Sequence, residues 1–284
     1  MTTALKDTDI QEAIRCAHTC VESNRDSAFM RMASEVIPKD PELARALIYE
    51  IDDLEFKVSV LFELCLTTFD KKDVVLLGAA IGGLKKPETW PSVYRAVWFF
   101  ANGQLSQARE ACLDIPDILL LIKLRIFFAR RTNAAIDKLL LDQTTDQLQG
   151  ISDENAKELG EHIGHEFIFI AHSNDSYWVA KAAWLKMSRK ARLERIIKLQ
   201  APAMVLANEI RMIAGTGLTD LALAKAEELK VPLDDDIDHY NHHFSIGYSR
   251  QCQVGKAREL AEKIRDPERR SLAFVHLYLA RLNN

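Results

Sequence analysis

A short phrase recurs along this chain of 284 residues: Ala-Arg, then an apolar residue seven places after the Ala, then Asp two places further on. It reads Ala44-Arg45…Ile51…Asp53, Ala108-Arg109…Ile115…Asp117 and Ala257-Arg258…Ile264…Asp266. Weaker copies stand at Ala156-Lys157…Ile163, Ala191-Arg192 and Ala224-Lys225…Val231. From 156 to 191 to 224 to 257 the steps are 35, 33 and 33 residues, and 44 to 108 is 64, close to two such steps. A period of this length belongs to stacked helical pairs, in which no unit buries its apolar face alone and each leans on its neighbours.

Each part of the phrase has a physical reading. Ala44, Leu47, Ile48 and Ile51 follow the spacing i, i+3, i+4, i+7, as do Ala108, Ala111, Cys112 and Ile115, and Ala257, Leu260, Ala261 and Ile264. That spacing is one face of a helix, and the small Ala lets a neighbouring helix approach. The Asp falls where the next helix begins, the place for a side-chain N-cap, and Asp40-Pro41 and Asp266-Pro267 add a proline at the first helical position. The Arg beside the Ala points off the stripe and is expected in solvent. Helical period also marks 10–21, 54–69, 93–101, 118–131, 155–172, 177–187, 189–199, 203–214, 218–229, 236–251 and 267–282, and no segment alternates with period two. The expected fold is all-α.

Eleven Gly and eight Pro are few for the length and argue against a turn-rich β protein. A net charge of −4 leaves no global basic field to draw in nucleic acid or anionic lipid. The start MTTALKDTDIQEAIR lacks the layout of a secretory signal, and the longest apolar run, 74–84, is too short to span a bilayer, so the expected location is cytoplasmic. Five scattered cysteines (Cys16, Cys20, Cys65, Cys112, Cys252) read as free thiols.

One interval breaks the period. Ala108 to Ala156 is 48 residues, and the surplus falls in the polar stretch DQTTDQLQGISD at 142–153. The expected organisation is degenerate helical repeats over 1–141, a loop or hinge over 142–153, and more regular repeats over 154–284, in one solenoid or two domains.

Two segments resemble the tetratricopeptide repeat (TPR): Tyr94-Arg-Ala-Val-Trp-Phe-Phe-Ala-Asn-Gly103-Gln-Leu-Ser-Gln-Ala108 and Tyr248-Ser-Arg-Gln-Cys-Gln-Val-Gly-Lys-Ala257. Phe99 and Tyr248 each stand nine before the Ala, which suits the family. Cys252 stands where Gly103 predicts Gly, and the early Trp-Leu-Gly signature is absent. The resemblance implies a TPR-like α-solenoid, a right-handed superhelical stack of antiparallel helical pairs whose first helices line the inner surface.

Several constellations could carry chemistry. The basic stripe Lys181, Lys186, Arg189, Lys190, Arg192, Arg195, Lys198 is opposed only by Glu194, and Trp178 and Trp184 precede it. It reads as a solvated face over core tryptophans, as a groove for an acidic peptide, or as an RNA or polyanion site. In DDDIDHYNHH, Asp235, His239 and His243 share one helix face and could chelate a divalent metal; the same acids also suit a helix N-terminus. A second cluster, Glu158, Glu161, His162, His165, Glu166 and His172, lacks the four-residue His spacing of a helical zinc site. Gly78 to Lys85 matches no phosphate loop and suits close helix packing. The aromatic stripe Trp90, Tyr94, Trp98, Phe99, Phe100 is expected in the core between units.

No complete catalytic set is present, and no cofactor motif. The expected function is a non-catalytic interaction module, a scaffold, adaptor or regulator that holds an acidic peptide or protein segment through Lys181, Lys186, Arg189, Arg192, Arg195, Lys198 and Trp178. The alternatives are a metal-dependent enzyme on a helical scaffold using His239 and His243, with Asp235, or RNA or polyanion binding through the basic stripe.

Overall fold

A computed structural model describes residues 3–87, 89–116, 120, 121, 124, 128, 203–234 and 236–282. All regular structure among the described residues is helical. A 3-10 turn at Thr3–Lys6 leads into α1 (Thr8–His18), α2 (Glu22–Val36), α3 (Pro41–Tyr49), α4 (Leu54–Thr68), α5 (Lys71–Gly82), α6 (Trp90–Ala101) and α7 (Leu105–Leu113). The later helices are α8 (Ala203–Gly215), α9 (Thr219–Leu229), α10 (Ile237–Arg250), α11 (Val254–Lys263) and α12 (Pro267–Leu282). None of the described helices is long and apolar enough to cross a membrane. The chain divides into two compact units, residues 1–64 with 188–284, and residues 65–187. The expected hinge at 142–153 lies outside the described residues.

Aspartate starts six of these twelve α-helices. Asp7, Asp40, Asp53, Asp70, Asp236 and Asp266 each accept a backbone N–H from the first turn. Each satisfies a donor with no partner inside the helix, a contribution of about 1 kcal/mol per cap. Two further aspartates tie one helix to the next connection. Asp26 of α2 accepts from the backbone N–H of Asp52 and Asp53, and Asp238 of α10 does the same for Arg265 and Asp266.

Two helices are absent from the periodicity reading. α2 begins with the polar run Glu22 to Asp26, and its apolar face is carried by Ala28, Phe29, Met32, Ala33 and Val36 only. α5 has the opposite trouble: Val74 to Ile81 is apolar almost all round and shows no contrast between faces.

The phrase packs as its spacing requires. Ala44, Ala108 and Ala257 are fully buried, and Ile51, Ile115 and Ile264 nearly so. In the weak copy, Ala224 is exposed and Ala222 and Ala226 take the inner face, a shift of two residues. Arg258 also departs from expectation. It does not end in solvent: its Nη2 lies 2.5 Å from Oδ1 of the buried Asp9.

The two TPR-like segments close their turns in the same way. Gln104 N–H donates to Phe99 O at 2.9 Å and Gly103 N–H to Phe100 O at 3.0 Å. At the later segment Gln253 N–H donates to Tyr248 O at 2.8 Å and Cys252 N–H to Ser249 O at 2.9 Å. Gly103 has φ +75° and Cys252 φ +58°, so the cysteine adopts the left-handed backbone that its counterpart's glycine takes freely.

In the first unit, α8, α10, α12 and α2 lie side by side, and α9, α11, α1 and α3 pack against them in turn. Ile210, Ile213, Ala214, Ala222 and Phe244 form one apolar core among α8, α9 and α10. A Cβ on Gly247 of α10 would sit 2.0 Å from Ala214 O of α8, so only glycine permits this approach. α12 is buried from Ser271 through Tyr278, as befits a helix covered on more than one side.

In the second unit, α5, α6 and α7 pack in sequence. Gly78 of α5 lies under Tyr94, whose ring a Cβ there would meet at 2.7 Å, whereas Gly82 faces open space. The buried stripe of α6 is Val93, Ala96, Val97 and Phe100, and Phe100 stacks on Phe128 with ring centres 4.3 Å apart. Of the aromatic stripe expected in the core, only Phe100 is fully buried. Trp98 remains 39% exposed, off the buried stripe of α6.

Candidate binding face

Lys181, Lys186, Arg189, Arg192, Arg195, Lys198 and Trp178 lie outside the described residues, as do Asp235 and the cluster from Glu158 to His172. Of the singled-out residues, His239 and His243 are in view. Their Nε2 atoms lie 2.8 Å apart, so one ring donates a proton to the other. Asp236 caps α10 through His239 N–H at 3.0 Å, which holds its carboxyl below the usual range. Burial lowers the His239 pKa, and the nearby Arg269 and Arg211 charges lower it further. Among the described residues no three side chains gather to hold a metal ion.

The face continues from α10 onto its neighbours. Along α10, His239, His243 and Arg250 are the residues left partly open on the side away from Phe244. Arg250 Nη1 donates to Gly215 O at 2.8 Å, placing a cation at the C-terminus of α8 where the helix dipole favours it. Its charge also reaches Glu35 of α2 and His276 of α12. His276 Nε2 stands 3.5 Å from Glu35 Oε2. Burial pushes the His276 pKa down to about 3 and raises that of Glu35. At neutral pH the imidazole is therefore uncharged, and this contact is no ion pair. His242 behaves alike: its Nδ1 lies 3.1 Å from Arg269 O, so it donates there, and burial brings its pKa to about 4.

Three guanidinium groups border these neutral rings. Arg31 of α2 pairs with Glu268 at 2.7 Å while 53% of its side chain stays exposed. Arg269 lies 3.5 Å from Asp236, and Arg250 is exposed beyond its bond to Gly215. Deeper in, Arg211 is only 2% exposed, with Nε donating to Leu233 O at 3.0 Å and Nη1 to Asn208 Oδ1 at 3.1 Å. It holds the link after α9 in place while contributing its charge to the field at His239. The arrangement sets guanidinium donors along the face, with the charges of Arg31 and Arg269 partly met by Glu268 and Asp236.

Sequence reasoning passed over Arg31, Arg211, Arg250 and His276. Their relation is across helices, and no spacing along the chain announces it. The one local signal was Arg250, which ends a helix that begins with acids. No family model matches the chain, and neither a curated protein nor a solved structure does.

Proposed function

We propose that this chain is a non-catalytic interaction module, a scaffold, adaptor or regulator. Its helical pairs continue into a right-handed TPR-like superhelix, and the face of the first helices holds an acidic peptide or protein segment. The observation that carries this reading is the row of Arg31, Arg250 and Arg269 around imidazoles kept neutral by burial. Guanidinium forks recognise carboxylates bidentately, and the partly open His239 and His243 beside them add hydrogen-bonding nitrogens. The stripe from Lys181 to Lys198, with Trp178, carries the same charge preference in the sequence.

A peptide-display selection on the intact chain tests this reading. It should enrich segments rich in Asp and Glu. Joint reversal of Arg189, Arg192 and Arg195 to Glu, or of Arg31 and Arg269 to Glu, should weaken capture of a selected peptide at least tenfold. Capture unchanged by both sets of substitutions would sink the reading, and selection of neutral or basic peptides would do the same.

A second reading, a metal-dependent enzyme, draws on the 2.8 Å approach of the His239 and His243 ring nitrogens. Two imidazoles one helical turn apart can grip a divalent transition metal, with Asp235 as a third ligand. The Arg211 and Arg269 charges at this end of α10 oppose a bound cation. Stoichiometric zinc, manganese or iron in protein purified without an affinity tag would favour this reading over the first.

A further inference from the structure

The last helix has its antiparallel partner at the other end of the sequence. α12 pairs with α1, whose charges run in reverse order along it. Glu12 meets Arg270 at 2.9 Å near the start of α12, and Asp7 and Asp9 meet Arg281 at 2.5 and 2.6 Å near its end. α2 then lies parallel to α12: Ser27 and Arg31 face Glu268, Glu35 faces His276, and Asp40 beyond the end of α2 accepts from Tyr278 Oη at 2.6 Å.

The trio α12, α1, α2 thus repeats the trio α10, α11, α12. In both, a first helix is followed by an antiparallel second helix and then by the next first helix, as the packing order records. The connections agree as well. Three residues, Thr19 to Val21, join α1 to α2, and three, Ile264 to Asp266, join α11 to α12. The acid at the second position of the first helix agrees too: Asp238 in α10 holds the turn before α12, and in the turn before α2 burial raises the Cys20 thiol pKa and the charge of Glu268 in α12 adds to it.

α1 is fitted to this place by an apolar stripe and an acidic edge. Ile10, Ala13, Cys16 and Ala17 are buried, and Asp9, with no exposed surface, lies between Arg258 of α11 and Arg281 of α12. Contacts of α1 with α2 and α3 come from its far end, where His18 meets the Phe29 ring and Glu50. The acidic half of α1 is therefore bound to helices more than 230 positions away, through side chains, with no covalent link nearby.

We propose that α12 and α1 form one helical pair assembled from two distant segments, and that α1 is an exchangeable closing helix. The surface of α11 and α12 that receives it is a binding site for this acidic amphipathic helix, which a second copy of the chain can supply. The two sides of the seam are different surfaces, so they form a head-to-tail contact. Such a contact closes either within one molecule or between copies.

Two measurements test the two parts. A labelled peptide of residues 3–20 is titrated onto the full-length chain and onto the chain carrying Asp9→Asn, whose own α1 is held less firmly. Saturable binding is expected, at least tenfold tighter to Asp9→Asn than to the unaltered chain. A peptide carrying Asp9→Asn and Glu12→Gln should lose at least tenfold. No binding to the folded Asp9→Asn chain, or equal binding by both peptides, overturns the site. For exchange, a chain with Asp7→Asn and Asp9→Arg is mixed with one carrying Arg258→Asp and Arg281→Asp. Each alone has a mismatched seam, whereas a mixed dimer with exchanged closing helices has two matched ones. Sedimentation should show a one-to-one complex with cooperative melting absent from either component. A mixture that sediments and melts as the sum of its parts overturns supply by a second copy.

Discussion

The trio α10, α11, α12 and the trio α12, α1, α2 share one arrangement, but different forces hold them. Within the first, chain continuity brings the helices together, and neutral contacts stand beside the long Arg269–Asp236 pair at 3.5 Å. Ser245 Oγ donates to Ala257 O at 2.8 Å, and Ala257 and Ala261 pack without exposed surface. Across the second no connection helps, and the contact carries Asp7, Asp9 and Glu12 against Arg258, Arg270 and Arg281. Apolar stripes alone are alike from one helix to the next and would allow α1 to slide by a turn. A carboxylate between two guanidinium groups accepts one register. The cost is desolvation, which makes such a pair poor at adding stability and severe when broken.

The largest difference should follow from cutting one bond on each side. Asp9→Ala leaves two arginines, each about a third exposed, facing an emptied site, and should cost about 3 kcal/mol. Ser245→Ala removes one neutral hydrogen bond and should cost about 1 kcal/mol. Urea unfolding with unchanged slope measures both. If Asp9→Ala costs no more than Ser245→Ala, the seam is not held by its charges.

How these features read in the sequence follows the same division. Local bonds leave local marks: Asp40, Asp53 and Asp266 announce helix starts because a cap requires its acceptor one residue before the first turn. The buried Ala and Ile of the phrase were legible from 3.6-residue spacing. α5 was hidden because uniform apolarity has no phase, and α2 because its first turns are polar. The seam left no mark, since its bonds join residues between 237 and 274 positions apart. Arg258 reads as an ordinary exposed residue until α1 arrives with Asp9. The His239 and His243 pair was visible as a helix-face spacing, but the guanidinium groups near it come from other helices.

Acid should act on both trios through one histidine each. His242 bridges α10 to α12, and His276 links α12 to α2. Their pKa values in the folded chain, about 4 and about 3, lie below the ordinary 6.5. Below pH 6.5 the unfolded chain therefore takes up protons that the folded chain refuses. The stability is fully present above pH 6.5 and is lost as pH falls toward 4 and then 3. Each histidine contributes a slope of up to about 1.4 kcal/mol per pH unit. Glu35 acts in the opposite sense, since its raised value favours the folded chain below pH 4.5 and loses that effect as pH rises. His276→Phe should reduce the slope between pH 6 and 5 by about one proton's worth. A slope unchanged by that substitution would mean that the α12 to α2 contact does not sense acid.

The smallest effect belongs to a turn, and it separates backbone strain from packing. Gly103 and Cys252 occupy equivalent left-handed positions with the same pair of closing hydrogen bonds. A side chain there crowds the following carbonyl, a strain of about 1 kcal/mol that glycine avoids while losing more freedom on folding. Cys252→Gly should therefore gain about 0.5 kcal/mol, whereas Gly103→Ala should lose about 1 kcal/mol. The thiol of Cys252 is exposed and free, so its removal costs little packing. Urea midpoints of the two variants should move in opposite directions. If both fall, Cys252 supports α11 through its side chain, and the turn is held by more than its backbone bonds.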